Sequence, residues 1–181
     1  MWTSLLSRLG FSLTIALSLG VSLLPSSVRA AEPRFEATYF FQGDDELKEK
    51  QINFADMARY SRQIQSQIWK ALKPVTMQVS NGYLVVAVRD DQAVAVWLDM
   101  EPVLTEDSQE RINAAVKKVA PFAVAQGTVV FGLQMSINTA KHTQKPKPAP
   151  VAWQSAKRKK IQDSDVEALV TALWPADAGK K

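Results

Sequence analysis

The sequence predicts an α+β fold in which two helices cover one face of a three-stranded antiparallel sheet. Residues 53–72, NFADMARYSRQIQSQIWKAL, have the apolar period of an amphipathic helix. Two apolar runs separated by a short turn follow, and then a second helical period and an alternating strand. This order, α-β-β-α-β, fits a two-layer unit whose second sheet face is left to solvent or to a partner.

The first helix is predicted from Asn53 to Leu72. Its apolar stripe consists of Met57, Ser61, Ile64, Ile68 and Leu72. Asn53 is a preferred capping residue, and Pro74 is typical of the positions just beyond a helix end. Because a helix of this length is marginal on its own, the stripe must be covered by other parts of the chain.

The runs at 83–89 and 93–100 are predicted to form an antiparallel pair, because the residues between them are too few for a parallel crossover. Asn81-Gly82 either turns the chain back from a strand at 75–79 or begins the longer strand. Tyr83 to Val88 is apolar on both faces, which indicates a central strand.

A second helix is predicted from Thr105, as its cap, to Val119. The strand that follows, Thr128 to Asn138, alternates clearly between its two faces. One face carries Val129, Phe131, Leu133, Met135 and Ile137. Because the opposite face carries several polar residues, the strand is predicted to have one buried and one wet face.

The sequence divides into a leader (1–30), an N-terminal extension (31–52), the α+β domain (53–138), a Pro/Lys-rich linker (139–162), an amphipathic helix (163–175) and a tail (176–181). Within the extension, Arg34 to Phe41 has the composition of an extra edge strand. Three prolines in 141–150 indicate a semi-extended spacer. The C-terminal helix begins with a capping box, Ser164 and Glu167, and is expected to dock on its own domain or on a partner.

The leader contains Arg8 and a 16-residue uncharged run, Leu9 to Leu24. The run is short for a membrane span, and the residues before Ala31 suit cleavage after an export signal. The sequence therefore predicts an exported, periplasmic protein, with an uncleaved membrane anchor as the alternative. Residues 31–140 hold 11 basic and 14 acidic residues, whereas 141–181 hold nine and four, so the basicity belongs to the tail.

Catalysis and cofactor or metal binding have little support in the sequence. The chain has no cysteine and one histidine, His142, which falls in the linker. The acids at 44–46 and 90–91 have the pattern of solvated turns, since no metal-binding spacing accompanies them. The basic run 157–160 lacks interleaved aromatic residues, which argues for a solvated linker and against nucleic-acid binding.

Four segments in this order resemble the C-terminal domain family of TonB and TolA. They are Tyr60 with Ile64, Ile68 and Trp69, the hairpin 83–98, AAVKKVAPF at 114–122, and VVFGLQMSI at 129–137. The resemblance implies a non-catalytic periplasmic domain that binds envelope proteins, such as an outer-membrane receptor or a Tol-system component, by strand addition. The sequence departs from the family at the turn Asp91-Gln92, at 101–104, and in the position of its proline-rich spacer.

These observations predict a module that recruits an envelope protein along a free edge at 129–137. The predicted contact residues on this strand are Val129, Phe131, Leu133, Met135 and Ile137. An accessory surface is predicted at Trp97, Leu169, Leu173 and Trp174. The alternatives are a TonB-like energy transducer, which requires the leader as a membrane anchor, and a small-ligand carrier or inhibitor with its ligand near Trp97.

Overall fold

The computed structural model describes residues 29–154 and 165–175. The predicted leader helix, the basic run 157–160, Ser164 and the tail 176–181 lie outside these residues. The helices are α1 (Asp44–Glu49), α2 (Phe54–Leu72), α3 (Glu106–Lys117) and α4 (Val166–Leu173). The strands are β1 (Arg29–Ala30), β2 (Pro33–Phe40), β3 (Thr76–Met77), β4 (Ser80–Arg89), β5 (Val94–Glu101) and β6 (Thr128–Ile137). None of the helices in this part of the chain is long and apolar enough to cross a bilayer.

The fold is α+β, and its main sheet has four antiparallel strands in the order β2-β6-β4-β5. The main sheet therefore has one strand more than the three that the sequence predicted. The additional strand is β2, which comes from the N-terminal extension and confirms the expectation of an extra edge strand there. A separate short ribbon pairs β1 with β3, so that Arg29 lies opposite Met77. The structure also has the short helix α1, which contains the acids at 44–46 that were expected in a solvated turn.

Strand β6 lies inside the sheet, and the predicted free edge at 129–137 is wrong. Gly132 pairs with Tyr39 of β2 on one margin and with Val85 of β4 on the other. The physical reason is that β2 of the N-terminal extension pairs along the margin that was expected to be free. Val130 and Gly132 lie on the face expected to be wet, yet both are buried.

Helices α2 and α3 cover one face of the sheet, as predicted. Asn53 caps α2, since its side-chain oxygen accepts hydrogen bonds from the amides of Ala55 and Asp56 at 2.9 and 3.3 Å. At the centre of this core Tyr60 packs edge-to-face on Phe131, with ring centroids 6.4 Å apart. The predicted stripe of α2 is buried along its whole length.

The opposite face of the sheet is also covered, which corrects the expectation of an open second face. Residues 141–153, here called the strap, and α4 lie across it. Trp153, Val166, Leu169 and Val170 are buried there against Val85 and Val130. Gly132 lies directly beneath the strap, because a Cβ at this position would be 2.9 Å from the Pro148 ring. The prediction that the C-terminal helix docks on its own domain is confirmed, and the predicted spacer is instead a packed segment.

Polar side chains of the sheet hold the strap in place. The buried carboxylate of Asp99 accepts hydrogen bonds from Lys145 Nζ at 2.7 Å and from the Ala149 amide at 2.8 Å. Tyr83 donates its hydroxyl to the Lys145 carbonyl at 2.9 Å. Burial raises the pKa of the Tyr83 phenol, and the nearby Tyr39 and Asp99 raise it further, so the phenol remains a neutral donor. Gln134 Nε2 donates to the Thr143 carbonyl at 3.0 Å.

Helix α4 is held by Glu167, whose carboxylate bridges two other parts of the fold. One oxygen accepts from Lys50 Nζ at 2.7 Å, and the other accepts from the Thr128 amide at 2.8 Å. The helix cap is Asp165, which accepts from the Ala168 amide. Glu167 therefore anchors the helix to the domain.

Candidate functional site

The predicted contact residues of β6 belong to the helix-side core. All five are buried among the side chains of α2 and α3: Val129, Phe131, Leu133, Met135 and Ile137. None of them offers a surface to another protein.

The predicted accessory surface is also packed within the domain. Trp97 is half-buried and meets Trp153 edge-to-face, with ring centroids 5.8 Å apart. Leu169 is buried, whereas Leu173 and Trp174 are half-buried, and the Arg89 guanidinium lies 4.1 Å from the centroid of the Trp174 ring. Trp97 is therefore partly packed within the domain, and it does not form an open platform for a ligand.

The main sheet has two margins, β2 and β5, and β2 carries several features that block strand addition. It begins with Pro33, which has no amide to donate, and its register shifts between Phe35 and Thr38. Arg34 and Glu36 are exposed along it. Proline, a bulge and charges are devices that prevent another strand from pairing with a sheet edge.

The margin at β5 has no proline and no bulge, and its charged residues, Asp99 and Glu101, are confined to its last three positions. All eight of its residues pair with β4 without a register shift, and its sequence, VAVWLDME, contains no proline or lysine. The amide of Arg89 donates to the Ala93 carbonyl at 3.0 Å, which makes 89 and 93 a hydrogen-bonded pair of the hairpin. Because such pairs alternate, the amides and carbonyls of Val94, Val96, Leu98 and Met100 point away from the sheet.

A cleft of about 230 Å³ runs beside the outer margin of β5. Its floor includes Trp97 and Leu98. One wall is formed by Gln109 and Asn113 of α3, and the other by strap residues 150–152. Val103 lies at its rim and is 68% exposed. The cleft therefore combines outward backbone groups with one amide-bearing wall and one largely apolar wall.

A second groove of about 350 Å³ lies between β2 and the first half of α2. The exposed rings of Phe40 and Phe54 lie along it. Only Thr38 and Phe40 direct backbone groups outward on this part of β2, because the amide of Phe41 bonds to Val130 in β6. This groove is therefore a poorer template for strand addition than the β5 margin.

No group of three His, Cys, Asp or Glu side chains in residues 29–154 and 165–175 is placed to hold a metal ion. His142 Nε2 lies 3.1 Å from Glu36 Oε2, a contact that joins the strap to β2.

No protein-family model, curated protein or solved structure matches this chain. The resemblance to the TonB and TolA C-terminal domains therefore stays a prediction. The function must be argued from the geometry of the β5 margin.

Proposed function

We propose that the protein is an exported protein-binding module that adds an extended segment of a partner to the outer margin of β5. The observation that carries the proposal is the row of four outward-facing residues, Val94, Val96, Leu98 and Met100, along a strand with no proline and no bulge. Unpaired backbone groups at a sheet edge bind another strand by completing the hydrogen-bond ladder. The position of this site differs from the β6 margin that the sequence predicted.

The walls of the cleft favour a peptide over a small metabolite. Pockets for drug-sized ligands usually enclose roughly 300–1,000 Å³, and the cleft is smaller, at about 230 Å³. A bound strand would send alternate side chains to its two sides. Those on one side would meet the amides of Gln109 and Asn113, and those on the other would meet Trp97 and the strap.

The predicted leader and the resemblance to the TonB and TolA domains support an envelope partner, such as an outer-membrane receptor or a Tol-system protein. The resemblance to the TonB and TolA domains implies that such partners are bound by strand addition. The transducer alternative uses the same cleft and differs in keeping the leader as a membrane anchor.

The Val96→Pro variant is expected to lose partner binding at least tenfold, because proline removes an outward amide without breaking the ladder to β4. The matched control is Thr38→Pro, which removes an outward amide from the β2 margin. The measurement selects extended peptides from a displayed library on the wild-type protein, and then compares the affinities of the three proteins for them. Equal affinities of wild type and Val96→Pro would contradict the proposal.

A second variant keeps the test decisive if proline disturbs β5. Asn113→Trp fills the cleft from α3 and leaves the strand unchanged. It is expected to weaken the same peptides, and thermal unfolding checks that the variant remains folded. In hydrogen exchange, bound peptide should slow the amides of Val94, Val96 and Leu98 and leave Thr38 unaffected.

A further inference from the structure

Exposed apolar side chains gather at the end of the domain where α2 terminates. Trp69 is 45% exposed, Val79 is 46% exposed and Val103 is 68% exposed. These are three of the six large apolar side chains that are exposed among the described residues. Lys70 and Lys73 are exposed beside Trp69. These five residues are here called the leader-proximal surface.

Backbone pairing brings this surface next to the point where the leader joins the domain. Ala30 pairs with Thr76, and the amide of Ala31 donates to the Val75 carbonyl at 2.8 Å. Val75 is two residues beyond Lys73, and Val79 follows the same short strand. Ser80 Oγ donates to the Pro102 carbonyl at 2.7 Å, which places Val103 on the same side of the fold.

In the sequence, a short segment joins the apolar run of the leader to Arg29, the first described residue. Leu24 precedes Arg29 by five residues, which span about 18 Å when fully extended. A bilayer holding this run would therefore have the leader-proximal surface within reach of its headgroups. The run has 16 residues, which is short for a hydrocarbon core of about 30 Å, and such a mismatch draws flanking residues toward the interface.

We propose that the leader is retained and that the leader-proximal surface lies on an anionic lipid bilayer. Tryptophan favours the membrane interface because its ring is apolar and its N–H is polar. Lys73 Nζ lies 5.0 Å from the Trp69 ring centroid, so the cation and the ring face the lipid together. At this end Glu101 lies 3.8 Å from Lys145 Nζ, which also pairs with Asp99 at 2.7 Å. Lysines near an anionic surface are attracted to it over about one Debye length.

The retained leader also explains why its junction is part of the fold. Cleavage before Ala31 would separate Arg29 and Ala30 from the domain and remove the β1–β3 ribbon. It would also place a charged amino terminus at a residue that is buried in the intact chain. The β1–β3 ribbon therefore ties Arg29 and Ala30 to the segment that follows α2, and it sets which end of the domain a retained leader would join.

The absence of cysteine allows a direct test with single reporter positions. Val79→Cys and Phe54→Cys are prepared in the full chain and labelled with the same polarity-sensitive fluorophore. Phe54 is a matched control, because it is 50% exposed and lies at the opposite end of α2, about 22 Å from Trp69 along the helix. Each protein is reconstituted into vesicles of phosphatidylethanolamine and phosphatidylglycerol that contain a headgroup-nitroxide lipid.

The nitroxide is expected to quench the label at position 79 several-fold more strongly than the label at 54. Adding Lys70→Gln and Lys73→Gln to Val79→Cys should weaken docking by about fivefold for each lysine, whereas Arg59→Gln with Arg62→Gln should not. Higher salt, or phosphatidylcholine in place of phosphatidylglycerol, should also reduce quenching at 79. Equal quenching at 79 and 54 would overturn the proposal, as would a native chain whose first residue is Ala31. Val103 belongs to both surfaces, but peptide affinity measured without vesicles on Val96→Pro and Asn113→Trp tests the β5 cleft alone, so the two proposals fail separately.

Discussion

Phe131→Ala is expected to lower the free energy of unfolding by about 3–5 kcal/mol, the usual cost of removing a buried aromatic ring. Phe131 is completely buried in β6 and contacts the rings of Tyr60 and Phe122. The substitution leaves a cavity between α2 and the centre of the sheet, where the surrounding elements have little freedom to collapse. Chemical denaturation measures the effect as a lower midpoint with an unchanged slope.

Tyr60→Phe provides the matched control in the same cluster. The Tyr60 hydroxyl is buried and has no hydrogen-bond partner among the described residues. Its removal keeps the ring contacts with Phe122 and Phe131, so the free energy of unfolding should change by less than about 1 kcal/mol. A loss of similar size in both variants would contradict this account of the helix-side core.

Asp99→Ala is expected to release the strap and to lower the free energy of unfolding by about 2–3 kcal/mol, because it removes a charge-assisted bond to Lys145 and the acceptor of the Ala149 amide. Asp99 accepts both Lys145 Nζ and the Ala149 amide, and its side chain is 7% exposed. Hydrogen exchange should show faster exchange at Ala149 and Trp153. Because residues 150–152 form a wall of the β5 cleft, peptide affinity should fall with stability.

Asp45→Ala is the matched control for Asp99→Ala, because it removes an aspartate from an exposed ion pair. Asp45 pairs with Lys48 at 3.1 Å, but its side chain is 97% exposed. Such a pair contributes little, so stability should change by less than about 0.5 kcal/mol. If Asp99→Ala changed stability equally little and the strap amides exchanged at wild-type rates, the strap would be held by its apolar contacts alone.

Helices α2 and α3 were predictable because their sequence signals are local. Twenty-two consecutive residues contain the apolar stripe of α2, its cap at Asn53 and the proline, Pro74, that follows its end. The hairpin of β4 and β5 was predictable for the same reason. The longer-strand alternative at Asn81-Gly82 is confirmed, since β4 already begins at Ser80.

The arrangement of the sheet margins was not predictable from local pattern. The position of β6 depends on pairing with β2 from the N-terminal extension, which no periodicity encodes. The three prolines of the strap indicated a spacer, but the strap is held by Asp99, a single acid in an otherwise apolar strand. Asp99 was the one sequence signal that the strap packs on the sheet, because a buried charge requires a partner. The open margin of β5 could not be predicted, because which strand lies at the edge depends on how all the other strands pair.

Pro33 and Ile137 pair directly although they are about one hundred residues apart in the chain. The four-stranded sheet therefore remains incomplete until almost the whole α+β unit has been synthesised, and distant pairings of this kind slow folding. The proposed export would benefit from this delay, because a chain whose sheet is still incomplete could pass through a translocation channel before its last strand pairs.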